Sequence, residues 1–290
     1  MNEQKLLVCG AGAMGRQIAL LGAIGGVPTT LYDLSEGQLA AANEEIEKLL
    51  ARQVQKERLT EAEAHAVRTR LDFLTDLDSA TDGATFVIEA IVERLDIKRE
   101  LFSSISERVG AETVLATNSS SIVSSELASA IEHPERLCNM HFFNPPMVMK
   151  LVEIVRGPHT GEPAVERAHN LAVTMNRSPV VLQKEVFGFV VNRVLNAIFD
   201  EAIWLYEQGV ASIEDIDEAV TKGLNHPIGP FALLDLTGID VNYHIRELKA
   251  QTTGDPNDGP SRSLTELFEA GHLGRKTGRG FYDYRDGGRA

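Results

Sequence analysis

The sequence predicts an α/β fold in which a doubly wound sheet is followed by an all-helical C-terminal domain. Short, continuously apolar runs alternate with helical patterns up to about residue 185. This alternation is typical of parallel strands that carry helices on both faces of the sheet. Beyond that point the strand signals stop and long helical patterns follow. For a chain of 290 residues we therefore expect two domains, residues 1–185 and 186–290.

The strands and helices of the first domain are expected in regular order. The apolar runs that predict strands lie at residues 6–10, 29–33, 84–90, 113–118, 136–143 and 150–155. Helical patterns lie at 12–24, at 35–58 and between the strands at 84–90 and 113–118. On the second of these helices one side is apolar and is expected to be buried; it carries Leu39, Ile46, Leu50 and Val54.

The second domain is expected to contain long helices with recognisable ends. The first of them stops before Gly209, a residue suited to the position that follows a helix. Ser212 and Asp215 have the spacing of a capping box that opens the next helix. Pro230 is expected to begin a third helix that continues to residue 250, and 252–261 is expected to be a polar loop.

Composition and charge narrow the class of protein. The net charge of −14 argues against a nucleic-acid partner, because phosphate binding depends on clustered Lys and Arg. No apolar run approaches the roughly 20 residues that span a bilayer, and the N-terminus lacks a signal-peptide pattern. Cys9 and Cys138 lie in apolar runs and are expected to be buried, reduced thiols. We therefore expect a cytoplasmic protein with no membrane contact and no metal site.

A glycine-rich hexad follows the first strand and opens the first helix. It consists of Gly10, Ala11, Gly12, Ala13, Met14 and Gly15. In a Rossmann-type domain the first glycine makes the turn, the second admits a pyrophosphate and the third packs helix on strand. Asp33 ends the second strand, where a carboxylate binds a ribose 2′-OH and repels a 2′-phosphate. The pattern predicts NAD rather than NADP; the alternative is a structural turn with a solvated aspartate.

His141 and Glu153 lie in the apolar runs of two successive predicted strands. A histidine between apolar neighbours is often a satisfied core residue, whereas an unpaired buried carboxylate is very costly. A contact between the two side chains would explain why both lie among apolar neighbours, because Glu153 would orient the imidazole and stabilise its protonated form. The spacing by itself leaves the catalytic and the structural interpretations both open.

A serine-rich segment and a row of basic residues each have two possible interpretations. Residues 118–121, Asn-Ser-Ser-Ser, follow a strand at the edge where open α/β sheets bind ligands, although a serine-rich turn could simply cap the next helix. Lys48, Arg52 and Lys56 form a basic stripe along one helix. The stripe could bind an anionic ligand. It could instead be a solvated face on which Glu44 pairs with Lys48 and Arg52 covers apolar surface.

The chain resembles the 3-hydroxyacyl-CoA dehydrogenase family, and in particular its short 3-hydroxybutyryl-CoA dehydrogenase members. The resemblance runs nearly from end to end and rests on seven ordered blocks. They are GAGAMG (10–15), IEAIVERLDIKRELF (88–102), ATNSSS (116–121), HFFNPPMVMKLVEIV (141–155), GFVVNRVLNAIFDEAIWLYEQG (188–209), PIGPFALLDLTGID (227–240) and GRKTGRGFYDY (274–284).

The resemblance implies a role for each matching residue. It makes His141 the base, Glu153 its partner, Ser120 a contact to the substrate carbonyl and Asn192 a contact near the reacting centre. Lys56 falls where the family contacts CoA. The residues that match cofactor contacts are the glycine-rich hexad with Asp33, Glu93, Lys98, Asn118, Ser120, Asn144 and Lys276. The chain departs from the family at Leu49, where some members have a CoA-contacting serine, and at Phe187, where proline is usual.

The function implied is an NAD-dependent interconversion of a short-chain (S)-3-hydroxyacyl-CoA, such as 3-hydroxybutyryl-CoA, and its 3-oxoacyl-CoA. The resemblance also implies a homodimer and a place in fatty acid metabolism. Two alternatives remain at this point: a dehydrogenase of the same fold that acts on another hydroxy acid, and a catalytically idle NAD-binding protein.

Overall fold

The computed structural model describes residues 4–285 and divides the chain into two compact units, 1–189 and 190–290. The first unit contains a doubly wound sheet and the second is helical, as the sequence predicts. The division between the units lies between Phe189 and Val190.

Eight strands of the first unit form one sheet, in the order β3-β2-β1-β4-β5-β6-β7-β8. Their bounds are β1 Leu6–Cys9, β2 Thr29–Tyr32, β3 Leu71–Leu74, β4 Phe86–Glu89, β5 Val114–Thr117, β6 Leu137–Phe142, β7 Leu151–Val155 and β8 Ser178–Leu182. All neighbouring pairs are parallel except β6 and β7, which are antiparallel. The antiparallel pair follows from the short connection that joins β6 directly to β7 without a crossover helix. The edge strands β3 and β8 were missed, since each is half-exposed and lacks a continuous apolar run.

Helices cover both faces of this sheet. Their bounds are α1 Gly15–Ile24, α2 Glu36–Gln55, α3 Glu61–Arg68, α4 Leu77–Thr81, α5 Leu95–Ser106, α6 Ser124–Leu127 and α7 Glu162–Thr174. Along β1, Leu6 and Val8 pack into one core cluster while Leu7 and Cys9 pack into a second. A strand that is buried on both faces is mostly apolar, which explains the continuous apolar runs in the sequence. Cys9 and Cys138 are free, buried thiols, and burial raises the pKa of each, that of Cys138 to about 12.

The second unit consists of helices α8 Val191–Glu207, α9 Ile213–Leu224, α10 Pro230–Thr237, α11 Ile239–Thr253 and α12 Arg262–Glu269. The expected single helix from Pro230 to residue 250 was wrong, because Gly238 adopts φ 104° and separates α10 from α11. An α-helix needs φ near −63°, so the chain must turn at this glycine. At the start of α9 the Ser212 hydroxyl accepts from the Asp215 amide, which is half of the expected capping box.

A buried carboxylate anchors the C-terminal segment of the second unit. Asp235 accepts hydrogen bonds from the amides of Phe281 and Tyr282, each at 2.9 Å, and from the Tyr284 hydroxyl at 3.0 Å. Burial raises the pKa of Asp235. A Cβ at Gly280 would lie 2.0 Å from an Asp235 oxygen, so the block GRGFYDY needs a glycine here.

Within residues 4–285, no helix is both long and apolar enough to cross a membrane. The same described residues contain no group of three or more His, Cys, Asp or Glu side chains arranged to hold a metal ion.

Candidate active site

Strand pairing brings His141 and Glu153 together. They occupy directly opposite positions of the antiparallel pair β6 and β7, where cross-strand side chains on one face meet. His141 Nδ1 lies 2.9 Å from Glu153 Oε2, and both side chains are buried. Because an ionised carboxylate only accepts hydrogen bonds, Nδ1 carries the proton in the neutral ring. The Nε2 atom is then the nitrogen that could accept a further proton.

Aromatic rings flank this imidazole. The ring centroid of Phe143 lies 4.5 Å from that of His141, and the centroid of Phe189 lies 5.5 Å away. Phe189 is fully buried and adopts φ 50°, an uncommon conformation for a residue with a side chain. The His141–Glu153 pair is therefore bordered by apolar rings, and its two side chains are only 8% and 1% exposed.

The glycine-rich loop has the steric features of a dinucleotide site. A Cβ at Gly15 would lie 1.8 Å from the Gly10 carbonyl oxygen, and one at Gly10 would lie 2.6 Å from the Ala90 carbonyl oxygen. These two glycines are therefore required by packing. A Cβ at Gly12 would instead project into open space above the loop, where a pyrophosphate could approach the backbone. The residues present fit the dinucleotide that the sequence predicts.

Asp33 lies beside this loop, directly after β2. Its Oδ2 accepts from the Ala11 amide at 2.8 Å and its Oδ1 from the Ser35 amide at 3.0 Å. The carboxylate therefore holds the glycine-rich loop as well as standing where a ribose 2′-OH is expected. The sequence indicated the ribose role but not the contact to the loop.

The polar segment after β5 lies next to the histidine strand. The Asn118 side-chain oxygen accepts from the Phe142 amide at 2.9 Å, so the segment is tied to the residue after His141. Ser120 is exposed at this carboxyl edge of the sheet. Asn144 is exposed just beyond β6.

The neighbouring serines of this segment bind Glu93. Ser121 Oγ donates to Glu93 Oε1 at 2.6 Å, and Ser119 Oγ donates to the same oxygen. Partial burial of Glu93 would raise its pKa, but Lys98 and the two hydroxyls outweigh burial and lower it. Glu93 is therefore an anion at neutral pH.

A buried ion pair lies behind Glu93, and the sequence analysis missed half of it. Lys98 Nζ lies 2.5 Å from Glu89 Oε1 and 3.2 Å from Glu93 Oε2. Glu89 ends β4 and is fully buried. The sequence could have indicated Glu89, because it is a carboxylate within an apolar run, as Glu153 is.

Two of the predicted site residues belong to the second unit. Asn192 is half-buried in the first turn of α8. Lys276 lies in a short 3₁₀ turn, and its ammonium group is 2.5 and 2.6 Å from the two carboxylate oxygens of Asp240.

The basic stripe lies on the exposed side of α2. Lys48 pairs with Glu45 at 2.6 Å and not with Glu44; residues three apart on a helix can meet, as can residues four apart. Lys56 caps the helix. In the part of the chain that is described, the side chains of Arg52 and Lys56 are exposed and form no hydrogen bond or ion pair. Leu49 packs against the core beneath them.

Comparison with known proteins identifies the two parts of the chain separately. Residues 5–186 match the NAD binding domain of 3-hydroxyacyl-CoA dehydrogenase, and residues 188–284 match its C-terminal domain. A probable 3-hydroxybutyryl-CoA dehydrogenase of Bacillus subtilis is 39% identical and is covered over 99% of both chains. A 3-hydroxybutyryl-CoA dehydrogenase of Mycobacterium tuberculosis is 40% identical over 97% of this chain and 98% of its own. The crystal structure of (S)-3-hydroxybutyryl-CoA dehydrogenase from Ralstonia eutropha matches with a TM-score of 0.92 and 36% identity, covering 98% of this chain and 99% of that one.

Proposed function

Because this chain belongs to the 3-hydroxyacyl-CoA dehydrogenase family, we propose that it interconverts a short-chain (S)-3-hydroxyacyl-CoA and the corresponding 3-oxoacyl-CoA. 3-Hydroxybutyryl-CoA is the proposed substrate, since the full-length relatives carry that name. The observation that carries the proposal is the buried His141–Glu153 pair.

His141 acts as the base in this proposal. Its Nε2 removes the proton of the 3-hydroxyl group during oxidation and returns it during reduction. Glu153 keeps Nδ1 protonated through the 2.9 Å contact and stabilises the imidazolium that forms. Phe143 and Phe189 exclude water from the pair, which strengthens the electrostatic stabilisation.

The cofactor is NAD, and when bound it supplies the hydride acceptor or donor at C3 of the substrate. The glycine-rich hexad holds its pyrophosphate and Asp33 its adenosine ribose. The further residues proposed to contact it are Glu93, Lys98, Asn118, Ser120, Asn144 and Lys276.

The substrate contacts are proposed as follows. Ser120 is exposed at the carboxyl edge of the sheet and binds the substrate oxygen, together with Asn192. Holding that oxygen aligns the proton and hydride transfers. Lys56 contacts the CoA phosphates, because its charge is exposed and forms no ion pair among residues 4–285. Lys48 is a weaker candidate, since Glu45 already neutralises it.

The proposal extends to assembly and setting. We place residues 1–185 as the NAD-binding domain and 186–290 as a substrate and dimerisation domain, with a homodimer formed through the latter. A cytoplasmic location agrees with the two free, buried thiols. The proposed reaction belongs to fatty acid metabolism.

The test is an absorbance assay of NADH consumption against 3-oxoacyl-CoAs of increasing chain length. We expect the highest kcat/KM with the four-carbon substrate, and at least ~10-fold less activity with NADPH, since repelling a 2′-phosphate costs over ~1.4 kcal/mol. A free 3-oxo acid serves as the control substrate. Turnover of the free acid as fast as of the thioester would favour a dehydrogenase of another hydroxy acid, and no turnover with any substrate would favour an idle NAD-binding protein.

A further inference from the structure

We propose that Glu89 is a positioning residue for the nicotinamide half of the cofactor site and acts through Lys98 and Glu93. The proposal rests on the NAD-dependent function proposed above. Glu89 is the last residue of β4 and has no solvent-exposed surface. All of its hydrogen bonds are made within the protein interior, so we assign its effect on the site to its neighbours Lys98 and Glu93.

The Glu89 carboxylate is fully engaged inside the protein. Its Oε1 accepts from the Ile91 amide at 2.7 Å and from Lys98 Nζ at 2.5 Å. Its Oε2 accepts from the Thr117 hydroxyl at 2.7 Å. These contacts join the ends of β4 and β5 to helix α5, and they fix the position of the Lys98 ammonium group.

Lys98 connects the buried Glu89 to the partly exposed Glu93. Its side chain is 1% exposed, whereas that of Glu93 is 42% exposed, and Lys98 Nζ lies 3.2 Å from Glu93 Oε2. Glu93 in turn accepts from Ser119 and Ser121, the residues on either side of Ser120. One chain of charge-assisted contacts therefore runs from the buried Glu89 to the serine segment at the carboxyl edge.

Stability alone does not explain such a buried ion pair. Replacing a buried ion pair by apolar residues of similar volume is often neutral or stabilising, because desolvating two charges costs as much as their attraction returns. Val87, two positions before Glu89 on the same face of β4, belongs to an apolar core cluster, so this face of the strand accepts apolar side chains. The buried Glu89 carboxylate is therefore best explained by its contact with Lys98, whose ammonium group it holds in place.

The strand order indicates which half of the dinucleotide lies next to Glu89 and the serine segment. In a sheet of order β3-β2-β1-β4-β5-β6 the dinucleotide lies across the point between β1 and β4 where the order reverses. Asp33, after β2, lies on the adenosine side. Glu89 and Thr117 end β4 and β5, on the opposite side, so the segment that they hold faces the nicotinamide half.

The experiment compares the binding of NADH and of ADP to four purified full-length proteins. These are the native protein, Glu89→Gln, Lys98→Met and the double variant Glu89→Gln/Lys98→Met. NADH binding is followed by fluorescence and ADP binding by calorimetry. ADP occupies only the adenosine half, so it reports whether the rest of the site is intact.

We expect each single variant to weaken NADH binding roughly 10-fold, the scale of one charge-assisted hydrogen bond, while ADP binding changes less than about 2-fold. The double variant should weaken NADH binding by about the same roughly 10-fold, and not by the product of the two effects, because Glu89 acts through Lys98. Its thermal midpoint should be near native, since no unpaired charge is left buried.

Several outcomes would overturn the proposal. They are native NADH affinity in the folded double variant, equal losses of NADH and ADP affinity, or losses that multiply in the double variant. If a single variant does not fold, the double variant still decides, because a purely structural role would restore NADH affinity along with stability. The native protein's acyl-CoA turnover is measured separately, so failure of the proposed function is distinguishable from failure of the Glu89 role.

Discussion

At the scale of single residues, the sheet of the first unit contains buried carboxylates close to the candidate active site. Glu89 is buried at the end of β4 and Glu153 in the middle of β7, and each contacts a basic side chain within 3 Å. A buried carboxylate without a partner would cost several kcal/mol. Its presence in an apolar strand therefore implies a partner, and the nature of the partner indicates the chemistry.

The first prediction concerns the imidazole of His141. Oxidation requires the neutral ring, because the base must accept the hydroxyl proton, so its rate should fall as the pH is lowered. Reduction requires the imidazolium and should be favoured on the acid side. His141→Gln should lose roughly 10²–10⁴-fold in kcat, the usual scale of a general base. Steady-state pH profiles in both directions check this.

Glu153→Gln is the companion variant. An amide cannot stabilise the imidazolium as a carboxylate does, so the acid limb of the oxidation profile should move to lower pH and kcat should fall. NADH binding, followed by fluorescence, is the control and should remain near native in both variants. Near-native turnover of His141→Gln would place the base elsewhere, and loss of NADH binding would make the histidine structural.

At the scale of secondary-structure elements, α2 presents two faces with different roles. Its buried side packs Leu39, Ala42, Ile46 and Leu50 against the sheet. The outer side carries the basic stripe, which ends at Lys56, the C-cap residue. The helix is thus fixed by its core contacts while its last turn is free to meet an anion.

The second prediction concerns that stripe. Lys56→Glu should raise KM for the acyl-CoA and leave kcat and NADH affinity nearly unchanged, because the CoA phosphates lie far from the reacting carbon. The increase should shrink at high salt, where exposed charges are screened. Arg58→Glu is the matched control, since it makes the same charge change at an exposed position off the stripe. If the two variants had equal effects on KM, or none, the interpretation of the stripe as a solvated helix face would be supported instead.

At the scale of the whole molecule, the second unit exposes more apolar side chains than a small helical domain needs to. Those with at least 40% of their surface exposed are Val190, Val194, Trp204, Val210, Leu224, Leu236, Val241 and Leu248. Exposed apolar side chains mark a protein–protein interface when they form one patch, and we infer that these do. The simplest partner is a second copy of the same unit, related by a twofold axis.

The third prediction is that the protein is a homodimer through this unit. Light scattering at micromolar concentration should give twice the mass of one chain. Trp204→Glu and Val194→Glu should shift the protein toward monomer, because each places a charge among the exposed apolar side chains of α8. Val173→Glu, at an exposed apolar position of the first unit, is the control and should leave the mass unchanged. A monomeric native protein would contradict the prediction.

The sequence by itself determined the fold class, the cofactor type and the identity of the candidate base. Continuous apolar runs identify strands buried on both faces, and the glycine-rich hexad with Asp33 is a local pattern. Local signals of this kind do not depend on distant parts of the chain. The edge strands β3 and β8 were not predicted because they are half-exposed and lack a continuous apolar run. The break between α10 and α11 was not predicted because the positive φ of Gly238 cannot be read from a helical pattern that tolerates one glycine.

Only the tertiary structure decided which polar groups meet. The antiparallel register of β6 and β7 sets His141 opposite Glu153, twelve positions apart in the chain. The parallel pairing of β4 with β5 brings Thr117 to Glu89, and the start of α5 brings Lys98 to the same carboxylate. Register and crossover depend on how the whole sheet assembles, because a shift of one residue would turn every side chain to the other face.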